Sequence, residues 1–291
     1  MPVEVRHYTD PASARCWGTE PKIRRLAWEF GDELEIRPVM GGLARSFGDP
    51  GGDPAPARGS RQATLIAEWL EQAAESGMPF DPRLWLRAPI ASSYPACQAV
   101  TAAAEQGALA ARAYLRRARE ALMTECRGLD HLEALAAEAG PAGIDPARFR
   151  IDLGSNAILE RLGEDLERSR APSAGARAAG LVTSDSRGER IAIATLEFSA
   201  AGGGESTWVS AGAPYEELAA MAHAAGATER ASQRPDPVEV VLSLGRVATR
   251  EVEEISGQPP PVVRAELWAA AREWRLRATP ILTGELWERA V

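Results

Sequence analysis

The sequence predicts a mixed α/β fold with a strand–helix–strand unit, a large helical insertion, and then two further strands and a closing helix. Three observations support this prediction. Apolar and polar residues alternate over residues 3–7 and 34–39, with helical spacing between the two runs. Helical spacing then dominates from about residue 61 to 170. Alternation returns near residue 191, which places the last strands after the insertion.

The first strand–helix–strand unit has clear stop signals. Asp10 and Pro11 end the first alternating run. A helix follows, and Gly31 ends it before the second strand begins at Leu34. Its apolar face is formed by Ile23, Leu26, Ala27 and Phe30.

The insertion follows a segment rich in Gly, Pro and Asp over residues 44–60, which predicts a loop. Ser93 precedes Tyr94-Pro95 and is expected to be the N-cap of a long helix with proline in its first turn. Asp145-Pro146 is expected to open another helix in the same way.

Strand character returns over residues 191–198 and again over residues 207–209. Three glycines at 202–204 lie between these runs and favour a hairpin. Residues 214–225 are expected to form the closing helix. A first domain over residues 1–227 would hold all of these elements.

Residues 235–291 are predicted to form a small second domain that resembles a winged helix, joined by a polar, proline-bearing linker over residues 228–237. Thr249 is expected to cap a short helix ending near Gly257, and Pro261 to open the next helix. Residues 274–287 would form the wing. The segment has nine acidic and seven basic residues, a net charge of −2, which argues against DNA binding. We expect instead a protein–protein or dimer contact, or a lid that covers the pocket.

Composition excludes several classes of function. The 291 residues carry a net charge of −8, so nucleic-acid binding is not expected. The sequence contains no run of eighteen apolar residues, so no membrane span is expected. The first strand is not preceded by the basic and apolar pattern of a secretory signal. Three cysteines are few for this length, and an odd number cannot all pair, so no disulfide framework is expected. Because this cysteine usage is typical of a reducing compartment, we expect a cytoplasmic protein. The histidines lack metal-ligand spacing, so no metal site is predicted.

The segment after the first strand carries the most specific motif, with Asp10-Pro11, then Cys16-Trp17, then Glu20-Pro21. It resembles the DsbA family of thioredoxin-fold proteins, in particular its cytosolic dithiol–disulfide isomerase-like and ClpXP-adapter-like branches. Residues 40–43 (Met-Gly-Gly-Leu) and 92–96 (Ser-Ser-Tyr-Pro-Ala) resemble the adapter branch. The resemblance covers about residues 1–227 and implies a thioredoxin fold with a helical insertion.

The family pattern implies two cysteines at the start of the first helix, of which the first attacks a disulfide and the second resolves it. Here Ser13 stands at the nucleophile position and Cys16 at the resolving position. A serine hydroxyl cannot form a disulfide. The chain is therefore expected to be impaired in redox chemistry, and whether it is an enzyme is left open.

A second departure lies where the family implies a cis-proline facing the site. The matching position holds Ala194, followed by Thr195. A cis bond before alanine costs about 3 kcal/mol, so we expect a trans peptide unless there is a reason for strain. The resemblance implies a substrate-binding surface formed by Pro11, Ala12, Trp17, Ser93, Ala194 and Thr195.

Three interpretations of Ser13 remain, in this order. The site could survive as a surface that binds a protein or peptide. The serine could hold an external thiol, as resemblance to kappa-class glutathione transferases and 2-hydroxychromene-2-carboxylate isomerases implies, with glutathione the one possible cofactor. Cys16 could exchange slowly as a single thiol. The oligomeric state cannot be predicted.

For the other polar residues near the site, we expect structural roles and not catalytic ones. Cys16, Cys97 and His7 are expected in the core, and Cys126 is expected to be structural. The remaining candidates are two carboxylates. Asp10 is expected to cap the turn or helix, and Glu20 to make a surface ion pair.

Overall fold

A computed structural model describes residues 2–48, 58–199, 205–229 and 234–290. The strands are β1 (Val3–Thr9), β2 (Leu34–Met40), β3 (Val182–Asp185), β4 (Gly188–Ile191), β5 (Thr195–Ser199), β6 (Thr207–Ser210), β7 (Val247–Ala248), β8 (Leu276–Ile281) and β9 (Gly284–Arg289).

The helices begin and end as follows: α1 (Ala14–Phe30), α2 (Arg58–Ser76), α3 (Leu84–Arg87), α4 (Tyr94–Ala103), α5 (Ala108–Glu125), α6 (Leu132–Ala137), α7 (Pro146–Leu153), α8 (Asn156–Ser169), α9 (Ala174–Ala178), α10 (Tyr215–Ala224), α11 (Pro237–Leu244), α12 (Thr249–Ser256) and α13 (Pro260–Arg272). None of the helices in these described ranges is long and apolar enough to cross a membrane.

The central sheet has the strand order β2-β1-β5-β6. β1 and β2 run parallel, with Val5 opposite Ile36, and β5 runs antiparallel to β1, with Phe198 opposite Val5. Because α1 connects β1 to β2 and α10 follows β6, the predicted strand–helix–strand and strand–strand–helix order is confirmed. This order is the thioredoxin-like fold, with the helical insertion between the two halves.

The four strands of the central sheet share one apolar core with α1 and α10. Alternate positions of β1, Val3 and Val5, are buried and pack with the apolar faces of these helices. The helix side chains that complete this core are Ile23, Leu26, Phe30, Tyr215, Leu218 and Ala222. The start of α1 is therefore held rigidly at the end of β1, where the candidate site lies.

The insertion has a second core rich in aromatic rings. Trp69 of α2 packs edge-on against Trp85 of α3 at 5.4 Å between ring centroids, and Tyr114 packs on Phe149 at 4.7 Å. Helix α2 already begins at Arg58, so the predicted loop over residues 44–60 extended too far. The first three residues of α2, residues 58–60, are Arg, Gly and Ser, so the sequence there shows no apolar spacing that would predict a helix.

The strand predicted over residues 191–198 is two strands. Ile191 ends β4 and pairs with Val182, whereas Thr195 begins β5 and pairs with Tyr8. The β3–β4 hairpin was not predicted, because its exposed polar residues carry no alternation. The predicted hairpin between the last two strands is confirmed, because β5 and β6 pair antiparallel with Phe198 opposite Thr207; its glycines at 202–204 lie outside the described residues.

Residues 237–289 form a module with a three-stranded sheet ordered β7-β9-β8 and a core around Trp287. The prediction that Thr249 caps α12 was wrong, because Ala248 is the N-cap residue. The Thr249 hydroxyl instead accepts a hydrogen bond from the Trp287 indole at 2.8 Å. It therefore anchors the helix to β9.

The module contacts α1 and α5 through ion pairs that are largely buried. Glu251 is fully buried and accepts hydrogen bonds from Arg24 and Arg116. Glu125 at the end of α5 accepts from Arg117 and Arg246. The C-terminal module is therefore fixed to the rest of the fold by charge as well as by apolar contact.

Acid is expected to weaken this contact through Glu125. Burial acts to raise its pKa, but hydrogen bonds from Arg117 and Arg246 outweigh burial and lower it from 4.5 to about 2. Because the pKa is lower in the folded chain, the stabilisation is present above about pH 4.5 and is lost as the pH falls towards 2. Melting temperatures measured from pH 6 to 2 should fall less steeply for Glu125→Gln than for the wild type. Equal slopes would contradict the prediction.

Candidate functional site

The start of α1 brings the predicted site residues to the end of β1. Pro11 and Ala12 form a buried turn, and Ser13 is the N-cap residue of α1. The Ser13 hydroxyl accepts a hydrogen bond from the Cys16 N–H at 3.2 Å, and Ser13 is 4% exposed. The side chain at the family's nucleophile position therefore satisfies the first turn of the helix.

Cys16 is buried, as predicted. Its exposure is 0%, and it packs among apolar side chains that include Leu26 and Ala194. All three cysteines are free. Because the Cys16 thiol is fully buried and is not paired with another cysteine, an external disulfide cannot reach its sulfur in this conformation.

Asp10 organises the turn from a fully buried position. One carboxylate oxygen accepts from the Ala12 N–H at 2.8 Å, which confirms the predicted turn cap. The other accepts from the Leu43 N–H at 2.6 Å, the Ser93 hydroxyl at 2.8 Å and the Cys97 thiol at 3.2 Å. One carboxylate thus joins the ends of β1 and β2 to the start of α4.

Ser93 is the N-cap residue of α4, as predicted, but its hydroxyl makes no capping hydrogen bond: it accepts from the Ala44 N–H at 3.2 Å and donates to Asp10. Burial raises the pKa of Asp10, and hydrogen bonds from Leu43 and Ala12 offset this in part. Burial, together with Asp10, raises the pKa of the Cys97 thiol well above its usual range. Cys97 therefore remains a protonated donor at neutral pH and is no substitute nucleophile.

Cys126 lies at the end of α5, half-buried, with its sulfur 3.7 Å from the Asp81 carbonyl oxygen. Burial and the nearby Asp81 raise the pKa of this thiol to about 11. Like Cys97, it is poorly suited to attack a disulfide at neutral pH.

The motif residues Trp17 and Glu20 lie inside the fold. The Trp17 indole donates to the Pro79 carbonyl at 2.8 Å, and the Arg116 guanidinium lies 4.5 Å from its ring centroid. The prediction of a surface ion pair for Glu20 was wrong: Glu20 is 8% exposed and pairs with the buried Arg119. Arg119 comes from the insertion, and local sequence around Glu20 does not reveal it.

The segment facing the site departs from expectation at one bond. The Ile193–Ala194 peptide is cis, so the expected trans geometry was wrong. Ala194 and Thr195 are buried, and the Thr195 hydroxyl has no hydrogen-bond partner in the part of the chain described. The backbone N–H and C=O of Ile193 also have no partner among the described residues.

A groove of about 330 Å³ runs beside Ser13. Its wall includes Ser13, Arg15, Leu43 and, deeper, the rings of Phe47 and Trp69. Leu43 is 38% exposed at its edge. The backbone N–H groups of Ala14 and Arg15, in the first turn of α1, make no hydrogen bond to any described residue. The surroundings of Ser13 are therefore an open groove and not a plugged pocket.

Gly42 shapes the segment that leads to this groove. Its φ is +61°, and an added Cβ would lie 2.4 Å from Leu166 and 3.0 Å from Tyr94. Gly42→Ala is expected to destabilise the chain by about 2 kcal/mol or more, from the left-handed backbone and the clash together. Urea denaturation measures this loss. The matched control is Gly163→Ala in α8, where no atom lies within 4 Å and a small gain is expected. Equal effects of the two changes would contradict the account.

The fold and this helix-start site define a DsbA-like thioredoxin-fold protein. A family model described as thioredoxin matches residues 7–171, more than half of the chain, and the chain belongs to this family.

Relatives agree with this assignment. The ClpXP adapter protein SpxH of Halalkalibacterium halodurans is 32% identical over 166 residues, covering 57% of this chain and 54% of the relative. The chain thus matches about half the length of that curated relative. A proposed protein disulfide isomerase from Nitrosomonas europaea superposes with a TM-score of 0.59 at 17% identity, covering 77% of this chain and 97% of that one. The cytosolic disulfide reductase DsbM from Pseudomonas aeruginosa gives 0.53 at 17% identity, with 76% and 95% covered. At these identities the two structures show the fold alone.

Proposed function

We propose that the chain acts by binding a protein or peptide at the groove beside Ser13, as an adapter, and does not perform dithiol–disulfide exchange. The observation that carries this proposal is the pairing of an N-cap serine with a fully buried, unpaired Cys16. Exchange through an internal disulfide needs two thiols, one to attack and one to resolve. Neither Ser13 nor Cys16 is placed to supply the first of them.

The backbone near the groove supports peptide binding. The N–H and C=O of Ile193, which have no partner among the described residues, could pair with an extended chain, since main-chain hydrogen bonds give affinity and side-chain pockets give specificity. Ile193 packs next to Gly41, where an added Cβ would lie 2.7 Å from its side chain, and Leu43 follows two residues later. Ile193 and the groove residue Leu43 therefore border one continuous segment, residues 41–43.

Selection of a displayed random-peptide library on the purified chain tests the groove. Enriched peptides should carry apolar side chains and should bind Leu43→Asp about tenfold more weakly, because a carboxylate would lose hydration in the groove. The matched control is Leu159→Asp on α8, an equally polar change at a leucine that is 52% exposed. Failure to enrich peptides, or equal loss in both variants, would contradict the proposal.

The adapter role extends this proposal to a second partner. The name of the SpxH relative identifies it as a ClpXP adapter, and 166 residues of this chain align with about half of that relative. Purified ClpXP from the source organism should bind the immobilised chain with a measurable dissociation constant. Binding of selected peptides without any binding of ClpXP would support the groove and contradict the adapter role.

A second candidate function is favoured by the N–H groups of Ala14 and Arg15 beside Ser13, which have no hydrogen-bond partner among the described residues. A helix N-terminus favours an anion, so an external thiolate such as that of glutathione could be held there for a transfer or isomerisation. Titration with millimolar glutathione should then raise the melting temperature of the wild type and not of Ser13→Ala. Absence of a shift would leave peptide binding alone.

We infer that residues 235–291 are a winged-helix-like module that serves protein contacts. The order helix, strand, helix, helix, strand, strand over residues 237–289 supports this class. Trp274 is 85% exposed and Trp268 is 49% exposed, which suits a protein surface better than a phosphate backbone. A cytoplasmic location is part of the same proposal. Binding to random-sequence DNA at low salt with micromolar affinity would contradict the inference.

A further inference from the structure

A second cleft, of about 440 Å³, lies where α1, α5, the first two strands and the C-terminal module meet. It shares no lining residue with the groove beside Ser13. Its wall is strongly cationic, with six arginines against two glutamates among the described residues. The arginines are Arg24, Arg112, Arg116, Arg117, Arg119 and Arg246.

Five of these arginines pair with carboxylates, and Glu120 in the wall of the cleft itself pairs with Arg116, Arg117 and Arg246. Arg24 and Arg116 pair with Glu251, and Arg117 and Arg246 pair with Glu125. Arg119 pairs with Glu20, as described above. These pairs fix the guanidinium groups in place, so the cleft is organised before any ligand arrives.

Arg112 is the exception. Its guanidinium makes no hydrogen bond and no ion pair within the described part of the chain. Burial lowers the pKa of Arg112, and attraction to Glu20 opposes this in part. Arg112 is half-buried, and an anion in the cleft would supply the hydrogen-bonding partner that its guanidinium lacks among the described residues.

Three further groups at the cleft also lack partners. They are Nε2 of His7, Nε of Arg119 and Nε of Arg246, which have no hydrogen-bond partner among the described residues. His7 is 2% exposed and Arg119 is 1% exposed. His7 was expected to be satisfied in the core, so this expectation was wrong for its Nε2. The two Nε atoms are N–H donors, and His7 supplies another in the tautomer protonated at Nε2.

We propose that this cleft binds a small polyvalent oxyanion, a phosphate or carboxylate compound, with Arg112 as its principal ligand. Guanidinium groups match phosphate and carboxylate oxygens in charge and in planar geometry. The buried Nε–H groups of Arg119 and Arg246, which have no partner among the described residues, belong to the same wall. Because Arg246 belongs to the C-terminal module, the anion would also stabilise the docking of that module.

Calorimetric titration at constant ionic strength tests the proposal, with inorganic phosphate and citrate as separate probes and chloride as the salt control. At least one polyvalent probe should bind and raise the melting temperature, and the comparison between the two separates phosphate from carboxylate recognition. Arg112→Gln should weaken binding about tenfold or more. Its stability without anion should change little, because Arg112 makes no hydrogen bond or ion pair with any described residue and only its longer-range attraction to Glu20 is lost.

The matched control is Arg264→Gln on α13, which removes the same charge from an exposed arginine outside the cleft. This variant should bind the anion like the wild type. Binding of neither probe, effects no larger than those of chloride, or equal weakening in both variants would overturn the proposal. None of these outcomes depends on the function of the groove beside Ser13.

Discussion

Replacing Ser13 with cysteine is expected to turn a chain that does not reduce insulin into one that does. Residue 13 is the N-cap of α1, and a thiol there would feel the positive end of the helix. A helix N-terminus lowers a thiol pKa from about 8.5 to about 7, which raises the thiolate fraction at neutral pH roughly tenfold. Cys16 would then stand three residues further along as the resolving thiol.

The insulin-reduction assay should therefore show no turnover for the wild type and a rate at least about tenfold above background for Ser13→Cys. Ser13→Cys combined with Cys16→Ser should lose repeated turnover, because no second thiol resolves the mixed disulfide. Ser13→Ala should stay inert and lose about 1 kcal/mol of stability with the helix cap. Turnover by the wild type at the rate of the variant would contradict the account.

Removal of the Glu251 carboxylate is expected to give the largest loss of stability. The side chain is fully buried between Arg24 and Arg116 and also accepts a 2.6 Å hydrogen bond from the Ala248 N–H. Glu251→Ala would leave two guanidinium groups with less compensation inside the fold. Breaking one side of a buried ion pair costs about 3–5 kcal/mol.

Chemical denaturation of Glu251→Ala measures this loss, with Glu239→Ala as the control. Glu239 lies on α11 of the same module, is exposed, and should change stability by less than about 0.5 kcal/mol. The loss should appear in the docking of the module, so protease cleavage between α10 and α11 should also accelerate. A loss below about 1 kcal/mol would show that the pair is not a structural connection.

Sequence reasoning succeeded where the signals were local. Alternation near Val5 and Ile36 and helical spacing near Leu26 placed the strand–helix–strand unit, because each pattern repeats within a few residues. The same reasoning predicted a single strand over residues 191–198, where the structure has the end of β4 and then β5. The alternation continues past Ile191, and nothing local in the sequence reveals the break before Thr195.

The polar connections within the site were beyond local reasoning. The Asp10–Ser93 hydrogen bond joins residues 83 positions apart, and the Arg119–Glu20 pair joins residues 99 apart. Each residue is unremarkable in its own segment, and the chemistry arises from tertiary packing. For the same reason, Arg112, which makes no hydrogen bond or ion pair with any described residue, looks like any helical surface arginine until the cleft around it is seen.

Because residue 13 is a serine and Cys16 is buried, we expect that no two thiols of this chain exchange electrons through an internal disulfide. It is tested most directly by equilibrating the purified chain in oxidising glutathione buffer, denaturing it in acid, and counting intramolecular disulfides by alkylation and mass spectrometry. Cys16, Cys97 and Cys126 should form no intramolecular bond with one another. A chain that accumulates a disulfide from Cys16 to either of the other two cysteines would contradict the account.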